Sequence, residues 1–198
     1  MVGLHSYSDT LHIIDFGLAK LYRDPHTHIH TKYRTDLSPI GTARYSSINA
    51  QSGFELSRRD DLESLTYILI YFLRGSLPWQ DLPGPMKTKQ TLMLQMKKTI
   101  TPHVLCEGLP VEFELILNHA RKLKFEQRPN YRYLRGLVQK LLSEQEASTV
   151  DWEVVKGLAG NCSSKGEVLV NMRRYGYFLL PLFFSILYYF QVTMPKIQ

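Results

Sequence analysis

The feature that most constrains the fold is the apolar run at residues 65–73, Leu-Thr-Tyr-Ile-Leu-Ile-Tyr-Phe-Leu. It follows Ser57 and the acidic stretch at residues 60–63, a combination typical of a helix start because it satisfies free backbone N–H groups and suits the helix dipole. Apolar residues would occupy every side of such a helix, which stops near Gly75 and is too short to cross a bilayer. The sequence therefore predicts one helix buried in the interior of a folded domain.

Three further segments carry apolar residues at spacings of three and four, the pattern of a half-buried helix. They are residues 89–98, 111–124 and 131–142. Glycine and proline residues, which break regular structure, separate them. The predicted fold class is therefore mainly α, with the buried helix as its axis.

A short strand is predicted before the helical part. Residues 11–14 are an apolar, β-branched run that ends at Asp15, and Gly17 follows within a turn, so a buried strand should feed a loop. Residues 23–52 then show no sustained period. Loops of about thirty residues are uncommon in compact domains unless they carry function, so this stretch is a candidate functional segment.

Composition limits the partners and the compartment. The chain has 198 residues, enough for one domain with an appended segment, and its net charge of +6 favours an acidic partner: nucleic acid, an anionic membrane or a phosphorylated protein. Only Cys106 and Cys162 are present, without metal or redox spacing, and the N-terminus lacks a secretory signal. We expect an intracellular protein with ordinary thiols.

The C-terminal part changes character. Residues 146–174 are polar and weakly periodic, as in a linker, and residues 175–192 are a nearly charge-free apolar segment preceded by Arg173 and Arg174. The segment just reaches the length of a membrane span, whereas Pro181 argues against one. Three interpretations stay open: a membrane anchor, an apolar tail docked on the lobe, or an artefact of the gene model.

Several motifs occur in a fixed order along the chain. They are Asp15-Phe16-Gly17, Gly41-Thr42-Ala43-Arg44-Tyr45, Ser47-Ile48-Asn49, Ser57-Arg58-Arg59-Asp60-Asp61-Leu62-Glu63-Ser64 and Gly75-Ser76-Leu77-Pro78-Trp79-Gln80. Together they resemble the casein kinase I family of serine/threonine protein kinases, over roughly residues 11 to 142. The resemblance implies the C-terminal lobe of the protein kinase-like fold, with residues 1–145 as a partial kinase domain.

The resemblance also implies roles for single residues. Asp15 would hold the Mg²⁺ that bridges the phosphates of ATP, because a hard cation prefers carboxylate oxygen, and Ile14 would line the adenine pocket. Asp61 would tie the buried helix to the backbone of the catalytic loop. Arg44 and Lys87 resemble the cationic site with which this family favours acidic or already phosphorylated protein substrates. Specific nucleic-acid binding is not implied.

Simpler readings compete with these roles. Arg44 could be an ordinary solvated or salt-bridged loop arginine, and Pro83-Gly84-Pro85 blurs the alignment that places Lys87. His26, His28 and His30 alternate, which on a strand would put them on one face like metal ligands. The family has a similar Thr-His-x-His stretch without a metal, so we do not expect zinc there.

Several parts that phosphoryl transfer needs are not found in these 198 residues: a Gly-rich loop, a strand lysine paired to a helix glutamate, and a catalytic-loop aspartate with its metal-binding asparagine. We expect a kinase-family chain that is inactive alone, either truncated in the gene model or one product of a split gene. The alternatives are a pseudokinase-like module that binds acidic or phosphorylated partners and a membrane-tethered adaptor. The family implies a cytoplasmic or nuclear location, the tail a membrane-anchored one.

Overall fold

The computed structural model describes residues 16–143. Ile14, Asp15, the strand predicted at residues 11–14, the linker and the apolar tail lie outside the described residues. The described part is mainly helical, as predicted, and begins with a 3₁₀ turn at Phe16–Leu18. Its helices are α1 Ile48–Gln51, α2 Arg58–Arg74, α3 Met86–Thr99, α4 Pro102–Leu105, α5 Val111–Lys122 and α6 Tyr131–Ser143.

Helix α2 is the predicted central helix, and it is buried along much of its length. It packs mainly against α5, with Tyr67 and Ile70 from α2 and Phe113 and Leu117 from α5 in the shared core. Each large apolar side chain that is fully buried in this way contributes about 1.5–3 kcal/mol relative to an exposed one. The prediction of a helix buried on every side was too simple, because the apolar side chain of Phe72 remains 37% exposed.

The other predicted helices are present with shifted ends. Helix α3 begins three residues early, directly after Pro85, which occupies the N-cap position with an extended backbone (φ −62°, ψ 155°). Helix α5 stops at Lys122, since Leu123 turns to an extended conformation while its side chain stays buried. Helix α6 begins at Tyr131 as expected.

Two one-turn helices were not predicted from the sequence, because neither has room for a periodic pattern. A side-chain cap starts each of them: Ser47 Oγ accepts from Ala50 N at 3.0 Å in α1, and Thr101 Oγ1 accepts from Val104 N at 3.3 Å in α4. Short capped turns of this kind depend on local hydrogen bonds more than on apolar spacing.

The stretch predicted to be a long loop is irregular up to α1, but it is ordered by hydrogen bonds. Arg23 and His30 form an isolated antiparallel bridge, and Asp24 Oδ1 accepts from the backbone N–H groups of His26 and Thr27 between them. His26 lies in a turn, His28 has a φ of +58° and His30 lies in the bridge, so the three histidines do not share one face of a strand. No cluster able to hold a metal ion is present in residues 16–143.

Two pairs of aromatic residues on helices α2 and α6 are divided between core and surface. Tyr131 is buried, whereas Tyr133 is 40% exposed. Tyr71 is half-buried and stacks at a tilt on the partly exposed Phe72, with ring centroids 5.9 Å apart. Neighbouring positions on a helix point in different directions, which explains the division. No helix within the described range is long and apolar enough to cross a membrane.

Candidate functional site: a cation-bearing loop and a cavity beside α2

Arg44 lies on a loop whose backbone is held by buried side chains. Lys97 Nζ, from the last turn of α3, donates to the carbonyl oxygens of Ala43 at 2.7 Å and Ser46 at 2.6 Å. Trp79 Nε1 donates to the carbonyl oxygen of Arg44 itself at 2.8 Å. The loop therefore presents Arg44 from a backbone fixed at three carbonyl groups.

The Arg44 guanidinium is partly exposed and remains charged. Its carbon lies 5.8 Å from the centre of the Tyr45 ring. Hydrogen bonding with the Tyr45 side chain raises the pKa of Arg44, and the nearby charge of Asp81 adds to this. Asp81 has a φ of +54°, a conformation that aspartate tolerates better than most residues. Arg44 is thus available to an external anion, because the nearby Asp81 carboxylate attracts it only weakly.

Lys87 lies in the first turn of α3 with an exposed side chain. Among the described residues, neither Arg44 nor Lys87 forms an ion pair. Neither cation is therefore neutralised by an ion pair with a described carboxylate, and their anion binding stays a prediction. A guanidinium can bind a phosphate through two parallel hydrogen bonds, whereas an ammonium acts as a point charge.

The Ser47-Ile48-Asn49 motif is anchored to the start of α2. Ser47 Oγ and Asn49 Nδ2 donate to Asp60 Oδ1 at 2.9 Å and 2.8 Å. The other carboxylate oxygen of Asp60 accepts from the backbone N–H of Ser57 at 2.8 Å. One buried carboxylate therefore joins the loop that carries Arg44, helix α1 and the first turn of α2.

A cavity of about 660 Å³ lies beside the first half of α2. Its walls combine apolar side chains, among them Leu18, Ile40 and Ile68, with the carboxylate of Asp61. The Asp61 side chain is exposed at the cavity, although many protein atoms lie close to its carboxylate. This burial, and secondarily the charge of Asp60, raises the pKa of Asp61 to about 7.

No hydrogen bond or ion pair to the Asp61 carboxylate occurs within residues 16–143. Its neighbour Asp60, by contrast, accepts three hydrogen bonds and is buried. Nearby protein without hydrogen-bond donors disfavours the charged form of a carboxylate, and solvent access reduces that cost. The Asp61 carboxylate therefore lines the cavity without a hydrogen-bond donor from the described residues.

A second ionic cluster forms another wall of the cavity. The Glu55 carboxylate is buried and pairs with Lys20 Nζ and with Arg34, whose Nη2 lies 2.7 Å from Oε2. Burial alone would raise the pKa of Glu55, but the hydrogen bonds from Lys20 and Arg34 outweigh it and lower the pKa. Glu55 lies in the segment that enters α2. It thus connects this segment to Lys20, just after the 3₁₀ turn, and to Arg34, in the middle of the loop.

Sequence reasoning found part of this site. Arg44, Lys87 and Asp61 were singled out, and the structure places Arg44 on the loop before α1, Lys87 in the first turn of α3 and Asp61 in the first turn of α2. Lys97, Glu55 and the role of Asp60 were missed. In the sequence, Lys97 is one lysine among others near the end of a predicted helix. No local pattern marks it, because the carbonyl groups that it binds lie more than fifty residues away. The sequence matches no known protein-family model.

Proposed function

We propose that residues 16–143 are the C-terminal lobe of a casein kinase I-type protein kinase, and that this lobe binds acidic or phosphorylated protein segments through Arg44, with Lys87 as a second cation. The substrate class would be proteins whose serine or threonine sites lie near acidic or phosphorylated residues. ATP and Mg²⁺ belong to the proposed reaction, with Asp15 as the metal ligand and Ile14 against the adenine.

The observation that carries the proposal is the unpartnered Asp61 carboxylate on the cavity wall at the start of the buried helix. In the family that the motifs resemble, this aspartate would hold the backbone of the catalytic loop. The sequence has no such loop, and the cavity beside Asp61 is where a loop with backbone N–H donors would fit. The Ser47-Ile48-Asn49 motif, directed at Asp60, agrees with the same assignment.

Phosphoryl transfer depends on positioning and on charge stabilisation, and the parts that supply them are not among these 198 residues. We therefore expect no transfer above background when the purified chain is incubated with ATP, Mg²⁺ and an acidic peptide. The measurement is incorporation of labelled phosphate, with Asp15→Ala as the matched control. Robust transfer that disappears in Asp15→Ala would show that the chain catalyses the reaction alone.

Binding of anionic segments is tested separately. We expect a phosphorylated acidic peptide to bind the full chain, and Arg44→Ala to weaken binding by about tenfold, since a charge-assisted arginine–phosphate pair contributes on the order of 1.5–3 kcal/mol. Arg132→Ala is the control, because Arg132 is an exposed arginine on α6. Equal affinity in the wild type and Arg44→Ala would remove the proposed anion site.

A second candidate function is a pseudokinase-like module that binds such partners without catalysis. The two unpaired cations favour it, because anion binding needs none of the missing catalytic parts. One measurement distinguishes the kinase lobe from the non-catalytic module. A separately produced polypeptide with a Gly-rich loop and a catalytic loop should restore transfer if the lobe belongs to a kinase, and Asp61→Ala should prevent the restoration. Peptide binding without restored transfer would favour the module.

A further inference from the structure

Lys97 is the most buried cation of the described residues, with no exposed side-chain surface. Fully buried lysines are rare because removing an ammonium from water is expensive. This one is satisfied by the loop, since its Nζ donates to Ala43 O and Ser46 O. Both acceptors are backbone carbonyls, so the contact fixes the path of the chain on either side of Arg44 and leaves the Arg44 side chain free.

Aromatic rings enclose the same ammonium. Lys97 Nζ lies 5.2 Å from the ring centres of both Tyr67 and Trp79, within the range of a cation–π contact. The two rings meet edge to face, with centroids 5.0 Å apart. Trp79 in turn donates to Arg44 O. The rings therefore hold the ammonium in place and add a third hydrogen bond to the loop.

Two further charged side chains, Glu63 and Arg121, act on the charge of Lys97. Glu63 Oε1 accepts from the Tyr67 hydroxyl at 2.5 Å and lies 3.4 Å from Arg121 Nε. Arg121 Nη2 donates to Lys97 O at 3.0 Å and so fixes the last turn of α3. Burial lowers the pKa of Lys97 to about 7, the charge of Glu63 raises it, and Arg121 lowers it further.

Helix α3 connects the two cations of the candidate anion site, Arg44 and Lys87, through Lys97. Lys87 lies in its first turn and Lys97 near its end, and α3 packs against α1, which follows the Arg44 loop directly. The hydrogen bonds of Lys97 therefore fix the helix that carries Lys87 to the loop that carries Arg44. The relative placement of the two exposed cations depends on a buried third one.

We propose that Lys97 is a positioning residue for anion recognition: it holds residues 43–46 in the conformation that presents Arg44 and does not itself touch the bound anion. This inference rests on the proposed anion-binding function. Trp79 assists through its single hydrogen bond to Arg44 O. The specificity for acidic or phosphorylated segments then depends on a core residue as well as on surface charge.

The test compares Lys97→Met with Lys98→Met in the full chain. Both variants remove one lysine charge from α3 and insert the same side chain, but Lys98 is exposed. The first readout is amide hydrogen exchange at Tyr45 and Ser46, whose N–H groups donate to Thr42 O at 2.9 Å and 3.0 Å. The second is affinity for a sulfated peptide, whose charge is constant between pH 6 and 8.

In Lys97→Met we expect protection of the Tyr45 and Ser46 amides to fall about tenfold or more, while that of Ile70 in α2 is unchanged, since loss of the buried charge-assisted bonds opens the loop locally. Peptide affinity should fall about tenfold, approaching that of Arg44→Ala. Lys98→Met should stay within about twofold of the wild type in both readouts. Trp79→Phe, which removes the indole donor together with part of a buried ring system, should give a smaller loss of the same kind.

Unchanged loop protection in both Lys97→Met and Trp79→Phe would overturn the inference. An equal loss at Ile70 and at the loop would also overturn it, because Lys97 would then serve general stability alone. If Lys97→Met does not fold, Trp79→Phe decides by the same criteria. A wild type that binds no sulfated peptide would refute the proposed anion site, while the exchange measurement would still decide whether Lys97 holds the loop.

Discussion

Two adjacent aspartates at the start of α2 have opposite environments. Asp60 is buried and accepts three hydrogen bonds, two from the Ser47-Ile48-Asn49 motif and one from Ser57 N. Asp61 faces the cavity without a donor from residues 16–143, and burial raises its pKa to about 7. In sequence both are acidic residues in a first helical turn. Their environments differ because one side chain meets hydrogen-bond donors and the other does not.

The raised pKa of Asp61 predicts a dependence of stability on pH. Because the folded state binds the proton more tightly than the unfolded state, the contribution of this group is complete below its unfolded pKa near 3.9 and is lost as pH rises through about 7. Asp61→Asn mimics the protonated acid without ionising. We expect it to raise the free energy of unfolding by about 1 kcal/mol at pH 7.5, a figure reduced for solvent access through the cavity, and by less at pH 4.

Urea unfolding of the full chain at pH 4, 5.5 and 7.5 measures this difference. Glu107→Gln is the control, since Glu107 is exposed, and it should show no comparable change with pH. A stability difference between Asp61→Asn and the wild type that is the same at all three pH values would contradict the prediction. With a hydrogen-bond donor bound in the cavity, Asp61→Asn should instead lower the free energy of unfolding, because the donor would stabilise the charged carboxylate of the wild type.

At the scale of elements, the irregular loop is fastened to the helical part at a few defined places. Glu55 pairs with Lys20 and Arg34. Leu37 N donates to Gly53 O at 2.9 Å, and the backbone of Gly53 has a φ of +73°. These contacts attach a segment without regular structure to the residues that lead into α2.

Gly53 is the tightest of these attachments and gives a prediction. A Cβ atom at this position would lie 2.4 Å from Leu37 O, a backbone atom that cannot move alone. Gly53→Ala should therefore lower the free energy of unfolding by about 2 kcal/mol or more, through the clash and the left-handed backbone together. Urea unfolding of the full chain provides the measurement.

Two other glycines serve as controls for Gly53→Ala. Gly108 has a φ of +74° but open space around a Cβ, so Gly108→Ala should show only the smaller cost of the backbone conformation, about 1 kcal/mol. Gly136 lies within α6 with no neighbour near a Cβ, so Gly136→Ala should stabilise by about 0.5–1 kcal/mol. A loss in Gly53→Ala no greater than in Gly108→Ala would show that the contact with Leu37 is not rigid.

At the scale of the whole molecule, the basic balance supports the proposed preference for acidic partners. The net charge is +6, and charges on exposed side chains attract an oppositely charged ligand over about one Debye length, near 10 Å at 0.1 M salt. The apolar segment at residues 175–192 remains a sequence-based prediction of a membrane anchor or a docked tail, since it lies outside the described residues.

Salt should weaken the proposed interaction. We expect affinity for a phosphorylated acidic peptide to fall about threefold or more between 50 and 300 mM NaCl, because the attraction of exposed charges is screened. Arg44→Ala should give a shallower dependence on salt, and Arg132→Ala, which removes an equal charge far along the chain on α6, should change the slope less. Titration of the peptide at four salt concentrations measures the slopes. Identical slopes for both variants would indicate attraction by net charge without a defined site.

The sequence by itself determined the mainly helical character, the central position of α2 and the approximate extent of α3, α5 and α6, because apolar spacing, caps and breakers act over a few residues. It also singled out Arg44 and Asp61 through ordered motifs. Only the tertiary structure decided that Lys97 is buried beneath the Arg44 loop, that Asp60 joins α1 to α2, and that Asp61 has no donor within residues 16–143. The partners of Lys97 are separated from it by 54 and 51 positions. Whether a charged residue is solvated, paired or left unpaired depends on which distant groups packing brings to it.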